Sequence, residues 1–276
     1  MTGLDRIIEN ALAEDIHTGD ITTLAVMRER REARARLIAK EPMVLAGIEA
    51  AARVFHLLDP RIIFTPLFSD GNALDTGDKI AEITGDAAAL LQGERVALNI
   101  LQRMSGVATL TARYVAAVKG TKARLVDTRK TTPGLRILDK YAVRVGGGVN
   151  HRTGLYDGVL IKENHITAAG GIGIAVSRAR AYIPHTMKVE VETETLAEVA
   201  EALAAGADII MLDNMETAAM REAVAMIAGR ALVEASGGVN LETVREIAAT
   251  GVDIISVGAL THSARAMDIS MLLEVS

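Results

Sequence analysis

The sequence predicts an α/β protein in which a mixed sandwich region precedes a run of strand–helix units forming a parallel sheet. Three observations carry that prediction. The apolar stock is aliphatic, with aromatics at 3% and no Trp, which suits helices packed on buried parallel strands. From about residue 121, six short apolar runs follow one another with helical patterns between most of them, the signature of repeated βα units. Polar residues collect just after each run, which in a parallel α/β architecture is one face.

The elements follow in order. Residues 3 to 15 read as an amphipathic helix with Leu4, Ile7, Ile8, Ala11 and Leu12 on one side. The basic run 28 to 40 alternates Ala33, Ala35 and Leu37 with Arg34 and Arg36, a half-solvated strand rather than a nucleic-acid patch. Strands are also expected at 61–68 and 79–84, with a helix at 47–58 and turn chemistry at 70–78. A long helical pattern fills 87 to 118, with Ser105-Gly106 as its candidate interruption. The six later runs are Ala123–Val126, Gly158–Ile161, Met187–Val191, Asp208–Leu212, Ala231–Ala235 and Asp253–Val257.

Bulk properties exclude several classes. A chain of 276 residues holds two modest domains or one large one. A net charge of −5 argues against nucleic acid or a membrane surface as the main partner. With no Cys, neither a disulfide, a Cys-ligated metal nor a thiol nucleophile is available. The start has no signal-peptide pattern and no apolar run reaches a membrane span, so a cytoplasmic protein is expected.

The polar residues at the strand ends suggest a ligand. Asp127, Arg129 and Lys130 follow the first run, Lys162 the second, Glu190 and Glu192 end the third and Asp213 the fourth. With His151 and Arg152, the cations near this mouth number up to five (Arg129, Lys130, His151, Arg152, Lys162). Clustered cations repel unless an anion joins them, and each charge-assisted hydrogen bond contributes about 1.5–3 kcal/mol. "EASGGVN" and "SVGALTHSARA" each place small residues between a strand and a following helix, the first with its helix starting near Asn240; such turns suit phosphates. Glu192 and Asp213 fit Mg²⁺, ribose hydroxyls or a developing sugar cation, or serve only to neutralise Lys130 and Lys162. The three glycines 146 to 148 imply a backbone passing close to a ligand or another segment, or a hinge.

These residues carry a resemblance. "DTRKTTPGLRILDKYAVRVGGGVNHRTGLYDGVLIKENHI" resembles the signature of the quinolinate phosphoribosyltransferase family, and so do "EDIHTGDITT", "GERVALNILQRMSG", "VEVET", "LDNM", "EASGGVN" and "SVGALTHS". The resemblance implies an N-terminal α/β open sandwich, residues 1–112 joined by the tail 268–276, and an incomplete six- or seven-stranded parallel α/β barrel, residues 113–267. It also implies a homodimer or higher oligomer in which one sandwich caps the other copy's barrel mouth. By resemblance, Arg95 of a second copy, Arg129, His151, Arg152 and Lys162 would hold quinolinate. Lys130, Glu192, Asp213, Ser236, Gly237, Gly238 and Gly258 would hold phosphoribosyl pyrophosphate with Mg²⁺ on Glu192 and Asp213, and His262 would lie near the phosphate end. Lys130, Lys162, Glu192 and Asp213 would be catalytic. "VEVET" holds two glutamates, and the assignment is placed on Glu192 rather than Glu190. Rival readings are a paralogous pyrophosphorylase-like enzyme with another acceptor, a Schiff-base aldolase using Lys162, and a non-enzymatic ligand sensor.

Overall fold

The computed structural model describes residues 3–27 and 29–275; Arg28, the first residue of the basic run, lies outside them. In chain order the elements are α1 (Gly3–Ile16), α2 (Ile21–Val26), β1 (Glu32–Ala39), β2 (Met43–Val44), α3 (Ile48–Leu58), β3 (Ile63–Pro66), β4 (Ala73–Leu74), β5 (Lys79–Asp86) and α4 (Ala87–Ala117). Next come β6 (Arg124–Val126), α5 (Arg136–Val145), β7 (Val159–Ile161), α6 (Glu163–Ala169), α7 (Ile172–Tyr182), β8 (Val189–Thr193) and α8 (Leu196–Ala204). The chain ends with β9 (Ile209–Asp213), α9 (Thr217–Ile227), β10 (Leu232–Ser236), α10 (Val244–Ala248), β11 (Ile254–Ser256), α11 (Ala259–His262) and β12 (Ile269–Val275). They fall into two compact units: Met1–Ala112 with Thr131–Gly147 and Thr261–Ser276, and Arg113–Lys130 with Gly148–Leu260.

The first unit is built on an antiparallel sheet of order β12-β1-β5-β3. Strand β1 buries Ala33, Ala35, Leu37 and Ala39 on one face, while Arg36 on the other pairs with Glu274 of β12. That alternation is the half-solvated strand expected from the basic run. Helix α3 starts where the Asp70 carboxylate accepts hydrogen bonds from the N–H groups of Gly47 and Ile48. Helix α4 runs without a break, so the expected interruption at Ser105-Gly106 is absent. Both residues serve packing instead. The Ser105 hydroxyl accepts from Ala46 N and donates to Ala46 O, and a Cβ on Gly106 would stand 1.9 Å from the carbonyl oxygen of Arg265. Gly146 plays the same part, since a Cβ there would lie 2.4 Å from Ala108 O.

The second unit holds six parallel strands in the order β6-β11-β10-β9-β8-β7. One further parallel bridge joins Val149 to Val126, at the β6 edge. Residues 233 and 235 of β10, 210 and 212 of β9, and 189 and 191 of β8 are apolar and buried. The alternate residues Glu190, Glu192, Met211, Asp213, Glu234 and Ser236 therefore occupy the opposite face. The sheet curls about that face, because His151, two residues beyond the β6-edge bridge, reaches Glu190 on β8 and Glu234 on β10. This is the incomplete α/β barrel, with helices between successive strands fixing the parallel direction. Among the described residues, no helix is long and apolar enough to cross a membrane.

Candidate active site

Because all six strands run parallel, Glu192, Asp213 and Ser236 at the C-terminal ends of three strands, and Lys130, Lys162 and Gly258 just after the ends of the other three, belong to one end of the sheet. The carboxylate after β6 has a structural task. Asp127 is 0% exposed and accepts from Asn150 Nδ2 at 2.6 Å and from His151 N at 2.8 Å. It thereby ties the Gly-rich segment to the strand end and delivers His151 and Arg152 to the barrel. Arg152 is then held by its own Nη1 donating to Gly158 O at 3.1 Å. Burial lowers its guanidinium pKa, and the neighbouring Arg129 lowers it further, while Glu190 and Asp157 oppose the shift. The charge of Arg129 thus bears on the half-buried Arg152 guanidinium, an arrangement that an anion would relieve.

Lys162 follows β7 directly and caps α6; its backbone N–H donates to His165 Nδ1 at 3.0 Å. Its ammonium forms an ion pair with Glu192 on the adjacent β8, with the lysine side chain 47% exposed. Asp213, at the end of β9, accepts from Asn214 Nδ2 at 2.7 Å. In register, Glu192 faces Met211, so Asp213 is two residues further up the neighbouring strand on the same face, at a diagonal spacing. Two carboxylates so placed offer hard oxygen donors of the kind Mg²⁺ takes when most of its shell is water and phosphate.

The turn after β10 requires glycine. Gly237 has φ 92° and a Cβ there would meet Asn214 Oδ1 at 2.2 Å, whereas Gly238, at φ 59°, faces open space. The helix expected to start near Asn240 begins later, at Val244. Asn240 instead caps a turn, its Oδ1 accepting from Glu242 N and Thr243 N. That is N-cap geometry, and with Asn240 O accepting from Val244 N at 2.9 Å the turn leads directly into α10.

Two of the site residues read from the sequence belong to the first unit. Arg95 is exposed on α4 and lines a cavity of about 440 Å³ with Asn10, Glu14 and Asp15 of α1. His262 is exposed at the end of α11, with its Nδ1 2.6 Å from the Ser263 hydroxyl.

Sequence reasoning missed Glu234. It is a glutamate in the middle of the apolar strand "LVEAS", on the Glu190 side of the sheet, and that parity was the available signal. Both ring nitrogens of His151 are engaged here. Nδ1 accepts from Arg152 N at 2.7 Å, and Nε2 lies 3.1 Å from Glu190 Oε2 and 3.7 Å from Glu234 Oε2. Burial pushes the His151 pKa down, but the Glu190 hydrogen bond and both carboxylate charges outweigh it and leave it above its ordinary value. Burial and the Glu190 charge push the Glu234 carboxyl up to about 7. Each glutamate also keeps one buried oxygen, Oε1, without a hydrogen-bond partner. The group lines a cavity of about 510 Å³ that extends past the first residues of β6, β9 and β11, Arg124, Ile209 and Ile254.

Comparison with known proteins places this geometry in a family. Residues 20–105 match the quinolinate phosphoribosyl transferase N-terminal domain and residues 107–272 its C-terminal domain. A probable nicotinate-nucleotide pyrophosphorylase [carboxylating] of Bacillus subtilis (strain 168) is 45% identical over 273 residues, covering 99% of this chain and 94% of its own. The chloroplastic nicotinate-nucleotide pyrophosphorylase [carboxylating] of Arabidopsis thaliana is 45% identical over 290 residues, covering 98% and 83%. The crystal structure of NadC from Streptococcus pyogenes superposes with a TM-score of 0.95 at 46% identity, covering 99% of this chain and 97% of that one. With both domains matched and the curled sheet and its charged mouth in place, the chain belongs to the quinolinate phosphoribosyltransferase family.

Proposed function

We propose that this chain transfers the phosphoribosyl group of 5-phosphoribosyl 1-pyrophosphate to the ring nitrogen of quinolinate with loss of CO₂. The products are nicotinate mononucleotide and pyrophosphate, a step of NAD synthesis. The observation that carries the reading is the cation set of this unit: the charged Arg152 guanidinium is disfavoured by burial and by the charge of Arg129, and Lys162 follows β7. A dicarboxylate is the ligand that such a set favours, since each carboxylate can take two parallel hydrogen bonds from one guanidinium.

In this reading Arg129, Arg152 and Lys162 hold the two carboxylates, with His151 beside them and Arg95 arriving from a second copy in a homodimer or higher oligomer. Lys130, Ser236, Gly237, Gly238, Gly258 and His262 receive the phosphates and ribose. Glu192 and Asp213 would hold Mg²⁺, which when bound offsets the charge of the departing pyrophosphate. The same carboxylates stabilise the positive charge that builds on the sugar as the bond to pyrophosphate lengthens. The pyridine nitrogen forms the new bond to the anomeric carbon and becomes cationic. Its C–CO₂⁻ bond then breaks, because the electron pair left behind sits next to a positive nitrogen, and solvent supplies the proton. A cytoplasmic location accompanies this reading.

The Lys162–Glu192 ion pair weighs against the aldolase alternative, since a partnered ammonium is a poor nucleophile. The test is incubation of purified protein with quinolinate, phosphoribosyl pyrophosphate and Mg²⁺, with nicotinate in a parallel tube. Nicotinate mononucleotide and CO₂ from quinolinate alone are expected. Absence of product in both tubes from folded protein would overturn the reading in favour of a paralogue with another acceptor.

A further inference from the structure

A histidine in an anion-binding pocket invites the assumption that its ring touches the anion, yet His151 has both nitrogens committed inside the barrel. Nδ1 accepts the backbone N–H of Arg152 at 2.7 Å. That requires Nδ1 to be unprotonated, so the neutral ring carries its proton on Nε2. The Nε2–H then points at Glu190 Oε2, 3.1 Å away, with Glu234 Oε2 behind it at 3.7 Å. Both acids are buried, at 4% and 1% exposure, so neither can turn to water.

We infer that Glu190, with Glu234 behind it, is a positioning residue: it fixes the Nε2–H tautomer of His151 and so makes Nδ1 an acceptor that orients Arg152. The inference rests on the proposed reading of Arg152 as a quinolinate ligand. The chain of contacts is continuous. The buried acids orient the ring, the ring holds the Arg152 amide, and the Arg152 guanidinium is set by Gly158 O. Asp127 works from the other side, accepting from His151 N and fixing the backbone of the same residue. With the other tautomer, Nδ1–H would face Arg152 N–H, donor against donor, and the Arg152 backbone would be released. Carboxylates that hydrogen-bond one ring nitrogen of a histidine and so set its tautomer are a recurrent device. A metal ion on Nε2 is opposed by the same geometry, since it would force the proton onto Nδ1.

The test compares Glu190→Gln with Glu190→Leu in the full-length protein. Glutamine retains an oxygen acceptor for Nε2–H and leucine does not. Expected is a KM for quinolinate raised about tenfold or more by leucine and mostly restored by glutamine, with KM for phosphoribosyl pyrophosphate little changed. Nitrogen-15 NMR of the histidine rings at mildly alkaline pH supplies a readout independent of turnover. It should show a protonated Nε2 and an unprotonated Nδ1 for His151 in the wild type, and a loss of that preference in Glu190→Leu. If the leucine variant does not fold, the NMR assignment in wild type and the kinetics of Glu234→Gln and Glu190→Gln still decide. A wild-type Nδ1–H tautomer overturns the inference, as does a stoichiometric bound metal at this histidine. Equal losses for both substrates in Glu190→Leu do the same. Failure of the wild type to use quinolinate would instead sink the functional reading while leaving the tautomer result standing.

Discussion

Glu190 and Glu192 are the same residue type, two positions apart on β8 and on the same face of the sheet, and their surroundings are opposite. Glu192 pairs with a lysine whose side chain is 47% exposed. Water reaches the lysine side of this pair, although the Glu192 side chain is 13% exposed, so it opens more cheaply than a fully buried pair. Glu190 faces a half-buried imidazole and a second, buried carboxylate, and retains an oxygen with no partner. Rearranging that group is expensive because the charges have no water to fall back on. The upper layer of the barrel therefore keeps charges that substrate can re-partner, and the layer beneath keeps charges that hold geometry.

The largest effect is expected at Arg152, the cation that His151 joins to the lower layer. Arg152→Ala removes a guanidinium able to make two charge-assisted hydrogen bonds to one carboxylate, about 4 kcal/mol in all. The value of kcat/KM for quinolinate should fall roughly a thousandfold, with KM for phosphoribosyl pyrophosphate much less affected. A loss shared equally by the two substrates would mean that Arg152 supports the fold rather than the acceptor.

The lower layer is read through pH. The Glu234 carboxyl is pushed up to about 7 from 4.5 in the unfolded chain, so the folded protein binds the extra proton. Its contribution to stability is complete below the unfolded value and disappears as pH rises to about 7. The shift corresponds to about 3 kcal/mol. His151, also raised, acts in the same direction, its contribution present below its ordinary value and lost above its folded one. Glu41 and Asp59, each held down to about 2 by an arginine partner, titrate the opposite way. The measurement is therefore a difference: denaturant stability of wild type minus Glu234→Gln, across this range. It should decline with rising pH, and a flat difference would show that Glu234 titrates normally and the lower layer is not strained.

How much of this was legible depends on how local the cause is. The strands of the barrel could be read because each apolar run is itself the buried element. Arg129, Arg152 and Lys162 could be picked out because cations crowded into an acidic chain are conspicuous. Helix α2 could not, since six residues show no helical period and Ile21, Leu24 and Val26 are all exposed. Helix α5 was overlooked because its buried face includes Asp139 and Lys140, beside Leu138, Ala142 and Val143. The break expected in α4 is the reverse case. Ser105 and Gly106 look like helix breakers, but their cause is Ala46 and Arg265, far away in sequence. Glu234 escaped for the same reason, because its significance lies in what stands across the barrel from it.

The smallest effects separate two neighbouring glycines. Gly237 and Gly238 both have positive φ, but only Gly237 has Asn214 against it, with a Cβ meeting Oδ1 at 2.2 Å and the backbone nitrogen at 2.8 Å. Gly237→Ala should therefore cost about 2 kcal/mol, the backbone strain plus displacement of the turn that carries Asn214 and, next to it, Asp213. Gly238→Ala meets nothing within 4 Å, so it should cost about 1 kcal/mol from backbone conformation alone. Thermal unfolding of the two variants gives the stability difference. The KM for phosphoribosyl pyrophosphate adds what stability cannot, because the open space above Gly238 is where a phosphate would sit. A Gly238→Ala variant of near-native stability with a raised KM for that substrate assigns the space to phosphate. Unchanged KM in the same variant would move the phosphate away from this turn and leave Gly237 as a purely structural residue.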